Sequence, residues 1–350
     1  MVDQAKLQEF LGKAVGDMGA ALSSILTIVG ERQGLYRAMA GQGPITAEEL
    51  AMRTGANKRL LEEWLANQAA GGYVTYDPLT GKYTLPEEQA LALADEESPV
   101  YLHGFFQIVE SLFRDIPKIN STFRTGAGLD WGDHDEGLFD GTYRFFRSSY
   151  QANLTTDWIP ALSGTEDKLK KGALVADIGC GYGATTLIMA RIYSRSTFLG
   201  FDNHRPSVER AAQQAKNDGI ADRARFEVAT ARDFPGRDYD LVTTFDALHD
   251  MGDPVGAARH VRQSLRKDGT WMIVEPFSRD RLEDNLHPLG RLFYAASTLI
   301  CVPGAMAQNG LALGNQAGEA RTREVVTAAG FTQFRRATET PFNLVYEARP

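Results

Sequence analysis

The chain of 350 residues has only two cysteines, Cys180 and Cys301. Neither belongs to a CxxC pair or a zinc-type spacing, so the sequence points to a reducing compartment and to no metal. Positive charge is also scarce. The 37 Lys and Arg are outnumbered by 45 Asp and Glu, giving a net charge of −8. An acidic chain is a poor candidate for gripping phosphate backbones. The opening residues, MVDQAKLQEF, contain no apolar core of a signal peptide. The most apolar stretch, 292–307, is interrupted by Ser297, Thr298 and Pro303. It falls short of the ~20 apolar residues expected of a membrane span. There is no internal repeat and no low-complexity tract. A cytoplasmic protein without a membrane partner is the expectation.

What is present divides into three segments. Residues 1–110 are mainly helical. Thr46 followed by Glu49 forms a capping box, and Asn57 suits the N-cap of a second helix. Leu60, Leu61, Trp64 and Leu65 recur at helical spacing until Gly71-Gly72. YVTYDPLTGKYTL then alternates around a turn, as a two-stranded wing would. Together these predict a winged-helix domain. Residues 111–165 are helical and aromatic, with a Gly-rich break, and read as a connector contributing to a pocket. Its Phe145, Phe146, Tyr150 and Trp158 are expected mainly in the core. From 166 to 350, strands alternate with helices. Strands are expected at 173–178, 197–201, 224–228, 239–244 and 270–275, then a terminal pair hinged at Pro341. This is the α/β pattern of a doubly wound sheet.

The strongest motif is VADIGCGYGATT. Gly179, Gly181 and Gly183 follow a strand and precede a helix, where glycine lets the backbone turn sharply and approach a ligand. The stretch also satisfies GxGxxG/A, so a nicotinamide dinucleotide remains open on spacing alone. Asp177, aimed into the loop from the strand, suits a cationic or hydroxyl-bearing ligand better than a pyrophosphate. Asp202 ends the next strand, where an acid accepts hydrogen bonds from ribose hydroxyls in either case. The terminal hairpin also departs from a continuing βαβ pattern.

D-x-G-x-G-x-G after the first strand resembles motif I of class I S-adenosylmethionine-dependent methyltransferases. The hairpin ending is similar to their Rossmann-like, seven-stranded, mostly parallel sheet with an antiparallel last strand. The resemblance implies S-adenosylmethionine as cofactor, held by Asp177, Gly179, Gly181, Gly183, Asp202, Asn203, Thr230 and Asp246. Thr230 stands where the family often has an acid near the adenine. TTFDALHDMGDP resembles the winged-helix-containing small-molecule O-methyltransferases. That resemblance implies His249 as general base, Asp250 beside it and Glu319 as the acidic partner, with Glu324 as the other choice. Glu275 and His287 are further polar candidates. The implied reaction is methylation of a small, largely apolar acceptor, with a hydroxyl as the favoured acceptor group.

The same family uses its N-terminal domain for dimerisation, which makes a homodimer the expectation here. Residues 1–100 hold eight basic and fourteen acidic side chains. A groove-reading domain wants a basic face, so no nucleic acid partner is expected. A winged-helix regulator with a methyltransferase-like sensor domain is the alternative class, with a dinucleotide oxidoreductase behind it.

Overall fold

The computed structural model describes residues 1–350. Two compact units emerge: Met1–Glu110 with Asp140–Ser148, and Ser111–Phe139 with Ser149–Pro350.

The first unit holds the winged helix. Thr46 caps helix Ala47–Thr54, and its capping box with Glu49 is complete in both directions. Gly55, at φ +73°, stops that helix in a left-handed conformation open to glycine. Asn57 caps helix Lys58–Ala70 through the Leu60 amide. Leu50, Leu61, Trp64 and Leu65 pack with Tyr36, Met39 and Ile45 in one core. The wing is β1 (Thr75–Asp77) against antiparallel β2 (Lys82–Thr84). The long helix Gln4–Arg32 is capped by Asp3. It carries a stripe of exposed apolar residues: Leu7, Leu11, Val15, Met18, Leu22, Ile25 and Val29. Their steps of three and four residues keep them on one helical face.

The second unit is a seven-stranded sheet. Its strands are β3 (Leu174–Ile178), β4 (Thr197–Asp202), β5 (Ala224–Val228), β6 (Tyr239–Phe245), β7 (Leu265–Pro276), β8 (Gln333–Glu339) and β9 (Asn343–Arg349). Their order is β5-β4-β3-β6-β7-β9-β8. β9 runs antiparallel to both neighbours, as the terminal hairpin predicts. β3 and β6 are buried along almost their whole length, as strands covered on both faces must be. β7 begins five residues earlier than expected, because Arg266–Asp268 is polar and gives no apolar signal. The chain moves outward from β3 to β4 and β5, then returns to β6 on the other side. The carboxyl ends of β3 and β6 therefore flank a topological switch point, where open α/β sheets bind ligands.

Two helical stretches, Gln4–Arg32 and Pro288–Ala307, are long and apolar enough to cross a membrane by length and composition. The second exceeds the shorter span expected from sequence, because the helix starts at Pro288 and runs on through a π-helical turn, Ser297–Cys301.

Candidate active site

The glycine loop is held from below and from one side. Asp177 ends up almost fully buried under it. Thr185 and Thr186 hydroxyls donate to its Oδ2 at 2.7 and 2.5 Å, and Thr243 donates to its Oδ1 at 2.9 Å. Burial raises the carboxyl's pKa, and the three hydroxyls oppose that rise. This changes the expected role: its oxygens brace the loop against the following helix and β6, instead of facing a ligand. At the tip, the Gly181 amide donates to Asp202 Oδ2 at 2.8 Å, and the His204 amide donates to Oδ1.

The glycines are required for different reasons. Gly179, Gly181 and Gly183 all have positive φ, +71°, +51° and +77°. A Cβ on Gly183 would lie 2.7 Å from the Phe226 ring, so the loop packs there against the sheet. A Cβ on Gly181 would meet nothing within 4 Å, leaving an open cradle beside Asp202. A Cβ on Gly179 would lie 2.8 Å from Ala247 Cβ. That close approach brings the loop to within two residues of His249 along the chain. The cradle, the ribose-type acid and the positive-φ backbone fit a nucleoside cofactor.

On the β6 side, Asp246 turns the chain with φ +49°. It accepts from the Tyr150 hydroxyl at 2.7 Å and the Asn343 amide at 2.9 Å. Burial pushes its pKa up to about 7, partly opposed by the Tyr150 hydrogen bond. The turn Leu248–Asp250 follows and buries His249. Its Nδ1 lies 2.5 Å from Glu275 Oε2 at the end of β7, while the Leu248 amide donates to Glu275 Oε1. A carboxylate only accepts, so Nδ1 carries the proton and Nε2 is left for other chemistry. Nε2 lies 3.3 Å from Asp250 Oδ1, and the Cys301 thiol comes from the π-helical turn to join them. Burial opposes charge on the imidazole, but Asp250 and Glu275 overrule it and raise its pKa well above the usual value. Burial, with Asp250 beside it, pushes the Cys301 thiol up to about 12, so it is no free thiolate. Three acidic side chains, Asp246, Asp250 and Glu275, thus gather near His249.

Several expected residues fall elsewhere. Glu319 does not partner His249. It sits in helix Gly318–Ala328, where Arg323 donates to it at 2.6 Å and Arg336 at 2.9 Å. Two guanidinium groups hold its carboxylate below the usual range despite partial burial. Glu324 is exposed on the same helix. The partner of His249 is Glu275, which sequence reasoning left with no specific role. The available signal was position: β6 and β7 are adjacent and parallel, so an acid ending β7 meets the turn after β6. Thr230 is exposed and donates its hydroxyl to Asp233 at 2.6 Å, and Asn203 is exposed beyond Asp202. His287 caps helix Pro288–Ala296 through the Gly290 amide, which is a structural task. Tyr150 and Trp158 are buried as expected, but Tyr150 also reaches the site through Asp246. The joining of Cys301 to His249 and Asp250 was not expected, because Cys301 is distant from both in sequence.

Residues 169–318 match a family described as a methyltransferase domain. The chain carries a methyltransferase domain. The matched segment contains the glycine loop, His249 and five strands of the sheet, β3 to β7. Residues 20–95 match the Rv2258c-like winged helix–turn–helix domain. Among curated proteins, the methyltransferase YcgJ of Bacillus subtilis is 30% identical over 122 residues. The match covers 34% of this chain and 47% of YcgJ, so the chain spans less than half of that relative's length. Solved structures follow the fold through both domains. An O-methyltransferase family protein from Burkholderia thailandensis superposes with a TM-score of 0.69 at 16% identity, covering 100% of this chain and 98% of that chain. Human N-acetylserotonin methyltransferase, with S-adenosylmethionine bound, gives a TM-score of 0.66 at 18% identity, covering 99% and 98%. At these identities the likeness is one of fold.

Proposed function

We propose that this chain is an S-adenosylmethionine-dependent methyltransferase that methylates a hydroxyl of a small, largely apolar acceptor. The observation that carries the reading is the contact between the two sides of the switch point. The glycine cradle approaches Ala247, and His249 follows within one turn, anchored by Glu275. When bound, S-adenosylmethionine supplies an electrophilic methyl group on a positively charged sulfur. Asp202 and the open glycine loop would hold the nucleoside end. His249 Nε2 takes the acceptor's hydroxyl proton as the oxygen attacks, and Glu275 stabilises the imidazolium that results. A positioned base of this kind contributes about 10²- to 10⁴-fold, and alignment of the acceptor oxygen supplies much of the remainder. Tyr150, Phe245 and the apolar helix that carries Cys301 favour an acceptor with little charge. In the proposed division at 110 and 165, the connector's contribution to the pocket is Tyr150. The test is incubation with methyl-labelled cofactor and a panel of small phenols and alcohols, with His249→Ala alongside. Extractable labelled product that His249→Ala forms at a normal rate would remove the base from the mechanism.

The winged helix is read as a packing and dimerisation domain. The cations a groove reader would use are neutralised: Arg59 pairs with Glu62 and Glu63, and Lys58 with Glu48. The exposed stripe from Leu7 to Val29 has the spacing of a coiled-coil seam, which a second copy would cover. Light scattering of the whole chain should give a dimer, and Leu22→Glu with Ile25→Glu should lower its mass. Both cysteines are free thiols, which fits a cytoplasmic protein.

A further inference from the structure

We propose that His249 Nε2, Asp250 Oδ1 and Cys301 Sγ form a binding site for a zinc-type divalent ion, inside the acceptor pocket. The three donor atoms lie within 4.8 Å of one another. A tetrahedral ion with bonds of about 2.0–2.1 Å to nitrogen and oxygen separates those two donors by about 3.3 Å. Nε2 and Oδ1 are 3.3 Å apart. Imidazole, carboxylate and thiolate are each ordinary zinc ligands, and three protein ligands leave the fourth position open to water or a substrate oxygen.

Two further observations point to a ligand. Asp250 Oδ1 is buried and makes no hydrogen bond of ordinary geometry, with only the His249 imidazole at 3.3 Å and the Cys301 thiol beside it. A buried, unsatisfied carboxylate oxygen needs an explanation, and a cation is one. Glu275 also holds Nδ1 at 2.5 Å. A carboxylate on the far nitrogen is what orients metal-binding histidines, because it fixes the tautomer and turns the lone pair of Nε2 to the ion. The thiol arrives by an unusual route. Cys301 ends the π-helical turn Ser297–Cys301, where the wider helix shifts the register of the side chains that follow. Binding would displace the thiol proton to solvent and form Zn–S, Zn–N and Zn–O bonds without a redox change.

The site stands apart from the base assignment, but one consequence rests on it. An ion on Nε2 takes the lone pair that would receive the acceptor's proton, so zinc should inhibit methyl transfer reversibly. The test uses the full-length protein and cobalt(II) as a spectroscopic stand-in. The expected result is a thiolate-to-cobalt charge-transfer band with tetrahedral d–d bands, both bleached by equimolar Zn²⁺. Cys301→Ser should abolish the charge-transfer band, and Cys180→Ser should keep it. Absence of the band in the wild-type protein, or its survival in Cys301→Ser, would overturn the site. Because the first readout needs no variant, a misfolded mutant does not protect the proposal. With an acceptor in hand, Zn²⁺ should lower turnover by about 10²-fold, the lower end of what a lost base costs, and chelator should restore it. A bound ion with unchanged turnover would leave the site standing and refute the base.

Discussion

Asp177 accepts well-formed hydrogen bonds from three threonine hydroxyls, whereas Asp250 Oδ1 accepts none of ordinary geometry. Both acids lie at the carboxyl edge of one sheet, one under the glycine loop and one after β6. The first is saturated by the protein and holds backbone in place. The second is left with unused capacity beside an imidazole and a thiol. On the proposed function, the difference separates a scaffold carboxylate from one placed for chemistry. On the proposed cofactor side, the open space lies over Gly181, beside the Asp202 carboxylate that its amide already holds. On the acceptor side the unused capacity lies in side chains, which is where proton chemistry needs it.

The sharpest way to break this comparison is to remove a group from each side. His249→Ala should lower turnover by about 10²- to 10⁴-fold while leaving S-adenosylhomocysteine affinity near wild type, as kinetics and calorimetry would report. Asp202→Ala should do the reverse, weakening that ligand by roughly 10- to 100-fold, as expected for lost charge-assisted hydrogen bonds. Asp177→Ala strands three hydroxyls, so it should cost about 1–3 kcal/mol of stability per unsatisfied group at most, read as a lower Tm. Cofactor affinity would then fall only as the loop loosens. Burial opposes charge on His249, but Asp250 and Glu275 raise its pKa, so turnover should climb with pH along an acid limb displaced to higher pH than an ordinary imidazole gives. Glu275→Gln removes one of those carboxylates and should move that acid limb to lower pH in a pH–rate profile. The smallest effect is expected at Glu319. Its pairs with Arg323 and Arg336 are partly exposed, and Glu319→Gln should change stability by about 1 kcal/mol or less with turnover unchanged.

The fold was legible because its signals are local. Thr46 with Glu49, Asn57, the β3 apolar run and the glycines each announce their structure within a few residues. The terminal hairpin announced the antiparallel strand. Of the candidate site, only placements at strand ends were legible, as with Asp202 and His249. Glu275 was seen but not assigned, because its meeting with His249 depends on the pairing of β6 with β7. Glu319 was misassigned by a resemblance in local sequence, and Arg336, seventeen residues away, holds its carboxylate elsewhere. Cys301 could not be read at all. Its position depends on a π-helical turn, and a one-residue change of helical register leaves no compositional trace.

The most direct measurement is a calorimetric titration of S-adenosylhomocysteine into the wild-type protein, Asp202→Ala and His249→Ala. It needs no knowledge of the acceptor. Binding should be retained in the wild type and His249→Ala and weakened in Asp202→Ala. Binding unaffected by Asp202→Ala, or lost in His249→Ala, would contradict the division of the sheet edge into a cofactor side and a reactive side.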